Sequence, residues 1–423
     1  MQRKLADATA TDRVPFVDRR FGERVSSLEA RTKRAPNEPL HAGSRLTGTL
    51  ALDLFRAQIE SRHIDLAARA LKQRGAGYYT IGSAGHEGNA AVAAALRPTD
   101  PAFLHYRSGA FFLERARQAG VASAARDMLL GMVASSEEPI AGGRHKVFGS
   151  LPLWIPPQTS TIASHLPKAV GMAFMHARMQ RLGLRSSLPD DAVVVCSFGD
   201  ASVNHSTACG AFNAASWAVQ HGLPLSLLFV CEDNGIGISV PTPASWVSES
   251  FRARPGLAYF EGDGLDLTDA YEAACEAASY VRRERRPAFL HLRVVRLLGH
   301  AGSDAETMYR SVDEIAATEE HDPLIGTARL LAGTGTATPE ELVAMYEDAR
   351  SRIAALAEEV MQRPKLTSAL EVMAPLAPRD DRVIADEVAK PWDMEARARF
   401  WRNKLPESER PMPLGAIINR ALG

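Results

Sequence analysis

Two polar residues that follow short apolar runs carry the strongest chemical signal in this sequence. Asp200 comes after Asp191-Ala-Val-Val-Val-Cys-Ser-Phe198 and Gly199; Asn234, 34 positions further on, lies in Cys231-Glu-Asp-Asn-Gly-Ile-Gly-Ile-Ser239. A carboxylate and an amide oxygen are hard donors. With a backbone carbonyl freed by the glycine-rich turn at 235–237 they suit magnesium bridging a diphosphate, since that ion wants octahedral oxygen at about 2.0–2.1 Å and takes part of its shell from phosphate. Gly-Asp and Asn-Gly are also ordinary turn signals after strands, and spacing alone leaves both readings open.

The elements around these residues decide whether they can meet. The run 191–198 reads as a strand buried on both faces. Ala208, Ala211, Phe212, Ala215 and Val219 then form one helical stripe over 206–220, Gly222 and Pro224 stop the helix, and Leu225 to Val230 form a second strand. A helix near 266–283 and a strand across Pro287 to Val295 repeat the pattern. Alternation of this kind predicts an α/β fold with a doubly wound, mainly parallel sheet flanked by helices, in which adjacent strands present their carboxyl ends, and hence Asp200 and Asn234, on one edge.

The remainder sorts by composition. Residues 1–45 alternate charge with few large apolar side chains and read as a mobile arm. Apolar residues from Leu46 to Leu71 predict two helices opening a globular domain over 46–364. A glycine-rich loop region over 75–88 precedes an apolar helix from Asn89. Thr338-Pro-Glu-Glu341 carries a capping box, so a helix should run from there to about Arg363. Pro375, Pro378, Pro391, Pro406, Pro411 and Pro413 break 365–423 into a tail of short pieces.

The chain has 423 residues, 46% of them apolar and 23% charged, with 49 basic against 50 acidic. This excludes wholesale disorder and leaves no basic field for nucleic acid or anionic lipid. Four cysteines show neither a disulfide framework nor a Cys-x-x-Cys pair. No apolar stretch reaches the ~18 residues that span a bilayer, and the expectation is a soluble, cytoplasmic protein.

Gly199-Asp200 and Asn234-Gly235 after predicted strands resemble the thiamine diphosphate motif. Further blocks follow in family order: Gly85-His-Glu-Gly88, His105-Tyr-Arg107, Thr159-Ser-Thr-Ile-Ala-Ser-His-Leu-Pro-Lys-Ala-Val-Gly171, and Gly299-His-Ala-Gly-Ser-Asp304 with Tyr309-Arg310. Together they resemble the α subunit of the decarboxylating dehydrogenase component of 2-oxoacid dehydrogenase complexes. The resemblance covers about 85–310 and implies the thiamine diphosphate-binding fold. It implies magnesium (Mg2+) held by the side chains of Asp200 and Asn234 and the carbonyl of Ile236, with Gly199 and Ala201 beside them. Arg107, next to Tyr106, would contact the diphosphate, a pairing that suits guanidinium; alone, Arg107 reads more simply as a surface ion pair worth under ~1 kcal/mol. Ile162 would sit under the cofactor as an apolar wedge and Ser160 near its aminopyrimidine. His300, in a Gly-rich loop after a strand, would be the catalytic, proton-handling residue and lie against the cofactor. A loop histidine satisfying backbone groups is the plain alternative.

The sequence also departs from the family. Ala201 stands where a glycine is usual, His205 where an acidic residue is usual, and the helix between the metal ligands is longer by about five residues, an alignment-edge figure. Gly143-Arg-His-Lys-Val-Phe-Gly149 is a shortened version of the segment bearing a second active-site histidine; its counterpart is Val147, or His145 if the loop is rearranged. The resemblance implies oxidative decarboxylation of a 2-oxoacid, branched-chain favoured, with acyl transfer to a lipoyl-bearing acyltransferase core. It implies a β-type subunit, or a fused β half, that supplies a glutamate to the cofactor, in an α2β2-type oligomer. Pro411-Met-Pro-Leu-Gly-Ala-Ile-Ile-Asn-Arg-Ala-Leu422 resembles the opening helix of such a β half. Pyruvate or acetoin dehydrogenase α-like subunits, and a noncatalytic scaffold retaining the fold, are the alternatives.

Overall fold

The computed structural model describes residues 13–78, 80–376, 380–391 and 393–422. Five strands form its main sheet: β1 (Ala102–Phe103), β2 (Val194–Gly199), β3 (Leu227–Asp233), β4 (Ala258–Asp263) and β5 (Ala288–Arg293). They lie in the order β1-β2-β3-β5-β4, every neighbouring pair parallel. The doubly wound parallel reading therefore holds. Two strands were not legible in advance: β1 is two residues long, and β4 at the edge is only half-buried and lacks a continuous apolar run.

The central strands read as unbroken apolar runs because both faces are covered. Val193, Val195, Leu228, Val230, Leu290 and Leu292 enter one core cluster. The alternate residues Val194, Cys196, Phe198, Leu227, Phe229, Cys231 and Phe289 enter a second. A strand turns successive side chains to opposite faces, and each face here meets helices. The second core is closed by α6 (Leu166–Arg181) and α7 (Ser206–Gln220), numbered in chain order after α1 (Val14–Val25), α2 (Gly48–Gln73), α3 (Asn89–Ala94), α4 (Gly109–Ala119) and α5 (Ala124–Met132). The first core is built on α2, α3, α4 and α8 (Leu267–Glu284), joined by α9 (Pro323–Gly333) and α10 (Pro339–Met361). The capping box expected at Thr338 and Glu341 is formed, with Pro339 in the first turn.

Two expectations need correction. The apolar positions from Leu50 to Leu71 lie on one 26-residue helix, α2, capped by Thr47 and without a break; no Gly or Pro stands between Leu50 and Leu71 to interrupt it. Residues 14–25 of the supposed mobile arm form α1, with Val17, Phe21 and Val25 buried. Those three sit four apart and make a single stripe, so a low count of apolar residues still docks the helix. Phe21 stacks on Tyr346 at 4.0 Å, and Arg13 makes a bidentate pair with Glu319 at 2.7 and 2.6 Å. Residues 1–12 of the arm lie outside the described residues.

Contacts divide the chain into two units, Met1–Leu366 and Thr367–Gly423. In the second, short helices span Ala369–Met373, Asp381–Ala389, Met394–Phe400 and Leu414–Leu422. Pro378 lies outside the described residues. Among the described residues no helix is long and apolar enough to cross a membrane.

Candidate active site at the carboxyl edge of the sheet

Parallel strands carry their successors to one edge. Asp200 follows β2, Asn234 follows β3, the segment His105-Tyr106-Arg107 follows β1, and the loop reaching His300 follows β5. Four of the expected site segments are thus gathered by topology.

Asp200 is buried, 1% exposed. Its Oδ2 accepts a short hydrogen bond from Thr242 Oγ1. Burial, with the neighbouring Asp233 carboxylate adding to it, holds the Asp200 pKa above the ordinary range; the Thr242 hydroxyl opposes the shift. A buried carboxylate with a second one close by is the electrostatic setting that a divalent cation relieves. Asn234 Oδ1 accepts from the Ile236 amide at 3.1 Å, which closes the turn at Gly235, φ +73°. Ile236–Gly237 then pairs with Val240–Pro241 as a small antiparallel hairpin, and Thr242 N–H returns to Gly235 O at 2.9 Å. Thr242, which reading the sequence missed, therefore reaches Asp200 because this hairpin folds back. Ala201 lies against the same hairpin: a Cβ built on Gly237 would stand 2.4 Å from its Cβ.

Arg107 is 3% exposed, so it is no surface ion pair. Its Nη1 donates to Gly82 O at 2.5 Å, and its Nη2 lies 3.1 Å from both the carbonyl and the Nδ1 of His300. The guanidinium also faces the Tyr106 ring at 5.2 Å. His300 is half-buried; its backbone N–H donates to Asp304 Oδ2 at 2.6 Å. Burial, then the positive charges of Arg107 and Arg296, push its pKa down to about 4, with Asp304 pulling the other way. Arg296 ties the two loops together, donating to Ile238 O at 2.7 Å and to Tyr309 OH at 2.8 Å.

Ile162 is 37% exposed, a large apolar side chain left facing outward between the positive-φ residue Ala163 and the loop at Ser160. Ser160 Oγ lies 3.3 Å from His145 Nε2, so the 143–149 loop brings His145 to the 159–171 block, while the Val147 amide donates to Gln158 O at 2.7 Å. His205 caps α7, its Nδ1 accepting from the Thr207 amide at 3.2 Å.

The least anticipated feature is a buried polar cluster behind Asn234. Glu232, 0% exposed, accepts from Asn89 Nδ2 at 3.1 Å and from Ser108 Oγ at 3.2 Å, with His86 Nδ1 at 2.7 Å. A glutamate in the last turns of a buried strand was a visible signal, because a charge there must be paired inside. His105 packs against Tyr106 at 4.1 Å, and both its ring nitrogens are buried without a hydrogen-bond partner among the described residues. Its Nε2 would stand 3.3 Å from a Cβ at Gly199. A buried imidazole without a partner among the described residues, packed against a bare glycine at the end of β2, fits a bound polar group. Oxygen donors at Asp200, Asn234 and Ile236 fit a hard cation.

A family model described as Dehydrogenase E1 component matches residues 56–369. The chain is 28% identical over 333 residues to the 2-oxoisovalerate dehydrogenase subunit alpha of Bacillus subtilis (strain 168), covering 77% of this chain and 94% of that protein. It is 28% identical over 211 residues to the mitochondrial 2-oxoisovalerate dehydrogenase subunit alpha of Homo sapiens, covering 49% of this chain and 44% of that protein, less than half of its length. It is 30% identical over 226 residues to the pyruvate dehydrogenase E1 component subunit alpha of Zymomonas mobilis subsp. mobilis, covering 52% and 56%.

Proposed function

The chain belongs to the dehydrogenase E1 component family, and on that premise we propose that it is the α-type chain of a thiamine diphosphate-dependent 2-oxoacid dehydrogenase, acting on a branched-chain 2-oxoacid. The observation that carries this reading is the convergence of Asp200, Asn234, Arg107 and His300 on the carboxyl edge of one parallel sheet, where α/β folds bind ligands. The branched-chain assignment is supported by the alpha-subunit relatives, with pyruvate as the competing substrate.

When bound, thiamine diphosphate supplies a nucleophilic thiazolium carbon and an electron sink for the loss of carbon dioxide. The chain's own residues bind and orient. Asp200, Asn234 and the Ile236 carbonyl would hold magnesium, whose charge would offset that of the diphosphate; Arg107, its guanidinium buried, would line the same side; Ile162 would offer apolar support and Ser160 a hydroxyl. His300 acts as a neutral hydrogen-bond donor. Arginine only donates, so the His300 Nδ1 at 3.1 Å accepts and the imidazole proton lies on Nε2, free to be offered to the oxygen of the reacting acid. No motif here corresponds to the glutamate that the family places at the aminopyrimidine, so a β-type partner completes the site, and the acyl group leaves to a lipoyl-bearing core.

The test is cofactor-dependent stability. Thiamine diphosphate with Mg2+ at 100 times its dissociation constant should add ~2.7 kcal/mol and raise the melting temperature; Asp200→Ala should abolish the shift. An unchanged shift in that variant overturns the site. A panel of 2-oxoacids, assayed on the chain together with its β-type partner and an artificial electron acceptor, decides the substrate.

A further inference from the structure

We propose that His86 is a positioning residue for the cation site, setting which end of the Asn234 amide faces the metal; the inference rests on the reading of Asn234 as a magnesium ligand. Asn234 Nδ2 lies 2.9 Å from His86 Nε2, and His86 Nδ1 lies 2.7 Å from Glu232 Oε2. The direction of this chain is fixed at both ends. A carboxylate oxygen accepts, so the imidazole proton sits on Nδ1, which leaves Nε2 as an acceptor and requires the NH2 end of the amide to face it. At the other end the Ile236 backbone N–H, which only donates, faces Oδ1 at 3.1 Å. The two constraints agree, and the oxygen that remains open to a hard cation is Oδ1, whose second lone pair the Ile236 amide leaves available.

The anchor of the chain is equally constrained. Glu232 is held by Ser108 on one oxygen and by Asn89 on the other, and Asn89 also donates to the carbonyl of Arg107 at 3.2 Å and accepts from the Phe111 amide at 2.8 Å. The network thus runs from the backbone of the expected diphosphate-binding arginine to the expected metal ligand. His86 and Glu232 are fully buried, so each leans on the partners named here. His86, His105 and Glu232 also bring one donor atom each within 4.8 Å of one another, a spacing that could hold a metal. Both ring nitrogens of His86 are already committed, however, so the cluster serves the amide. Partners of this kind typically change metal affinity by 10–100-fold.

The experiment measures Mn2+ binding, by the electron paramagnetic resonance signal of the free ion, to the full chain with its β-type partner and thiamine diphosphate. His86→Leu should weaken Mn2+ binding at least 10-fold, and His86→Gln, whose side-chain oxygen can accept from Asn234, should recover most of the loss. In an Asn234→Ala background, His86→Leu should change nothing further, an outcome that a merely structural role for His86 would not give. Should His86→Leu fail to fold, His86→Met is the substitute: it fills the buried space without a strong acceptor for the Asn234 amide and should also weaken Mn2+ binding 10-fold. Unchanged Mn2+ affinity in His86→Leu or His86→Met, alongside a loss in Asn234→Ala, overturns the relay alone. Unchanged affinity in Asn234→Ala as well overturns the cation reading beneath it.

Discussion

Arg107 Nη2 stands 3.1 Å from the Nδ1 of His300, with the carbonyl of the same histidine equally close. One guanidinium therefore fixes both the backbone and the ring of His300, and selects the Nε2–H tautomer. Burial first, and then the charge of Arg107, against whose N–H a protonated ring would place a second donor, push this imidazole down to about pKa 4.

From this follows a titration. His300 should remain neutral from pH 8 down to about pH 5, and Arg107→Met should move its pKa upward because the nearest positive charge is gone. Side-chain nuclear magnetic resonance of histidine-labelled protein reads both. A His300 that titrates near 6.5 in the unmodified protein would refute the lowered pKa, and ring nitrogen shifts showing the proton on Nδ1 would refute the tautomer assignment.

Gly237 and Ala201 predict a rescue. A methyl at 237 would meet the Ala201 Cβ at 2.4 Å, pushing the Ile236–Gly237 hairpin away from Asp200. Gly237→Ala should weaken Mg2+-dependent cofactor binding at least several-fold, and adding Ala201→Gly should restore most of it. Calorimetric titration of both variants checks this; equal losses in the single and double variants would count against it.

Arg62 predicts a stability loss. It is fully buried between Glu87, at 2.7 Å, and Asp322, at 3.0 Å, and Glu87 in turn accepts from the Gly85 amide at 2.6 Å. Arg62→Met leaves two buried carboxylates without their cation, at a cost of ~3–5 kcal/mol, and loosens the loop that carries His86. Denaturant unfolding would show it as a lower midpoint; a midpoint within error of the unmodified chain would contradict the assignment.

Acid should weaken the fold through its histidines. Burial pushes His165 down to about 4, and its Nε2 donates to Ser197 O at 2.7 Å while Nδ1 has no partner among the described residues. His63 is likewise pushed down to about 4 by burial and then by the charge of Arg350. On unfolding each returns to about 6.5, so the unfolded chain binds more protons between about pH 6.5 and 4. Their contribution is complete above that window and is lost as pH falls through it. His165→Gln should flatten the dependence of melting temperature on pH there; an unaltered slope would remove His165 from the account.

Sequence alone determined the parallel sheet, because strands buried on both faces must read as unbroken apolar runs and the helices between them as single stripes; it also marked Asp200 and Asn234, because turn residues after strands stay local and visible, while His300 stood out only through the resemblance of its loop to a known family. It could not show α1 as docked, since three apolar residues four apart vanish among charges until a partner such as Tyr346 is in place. Nor could it join Glu232 to His86, 146 positions away, or Thr242 to Asp200 across 42. Those pairings depend on the return path of the chain through the sheet and the hairpin, and the direction of a hydrogen bond is decided only when every donor around it has been placed.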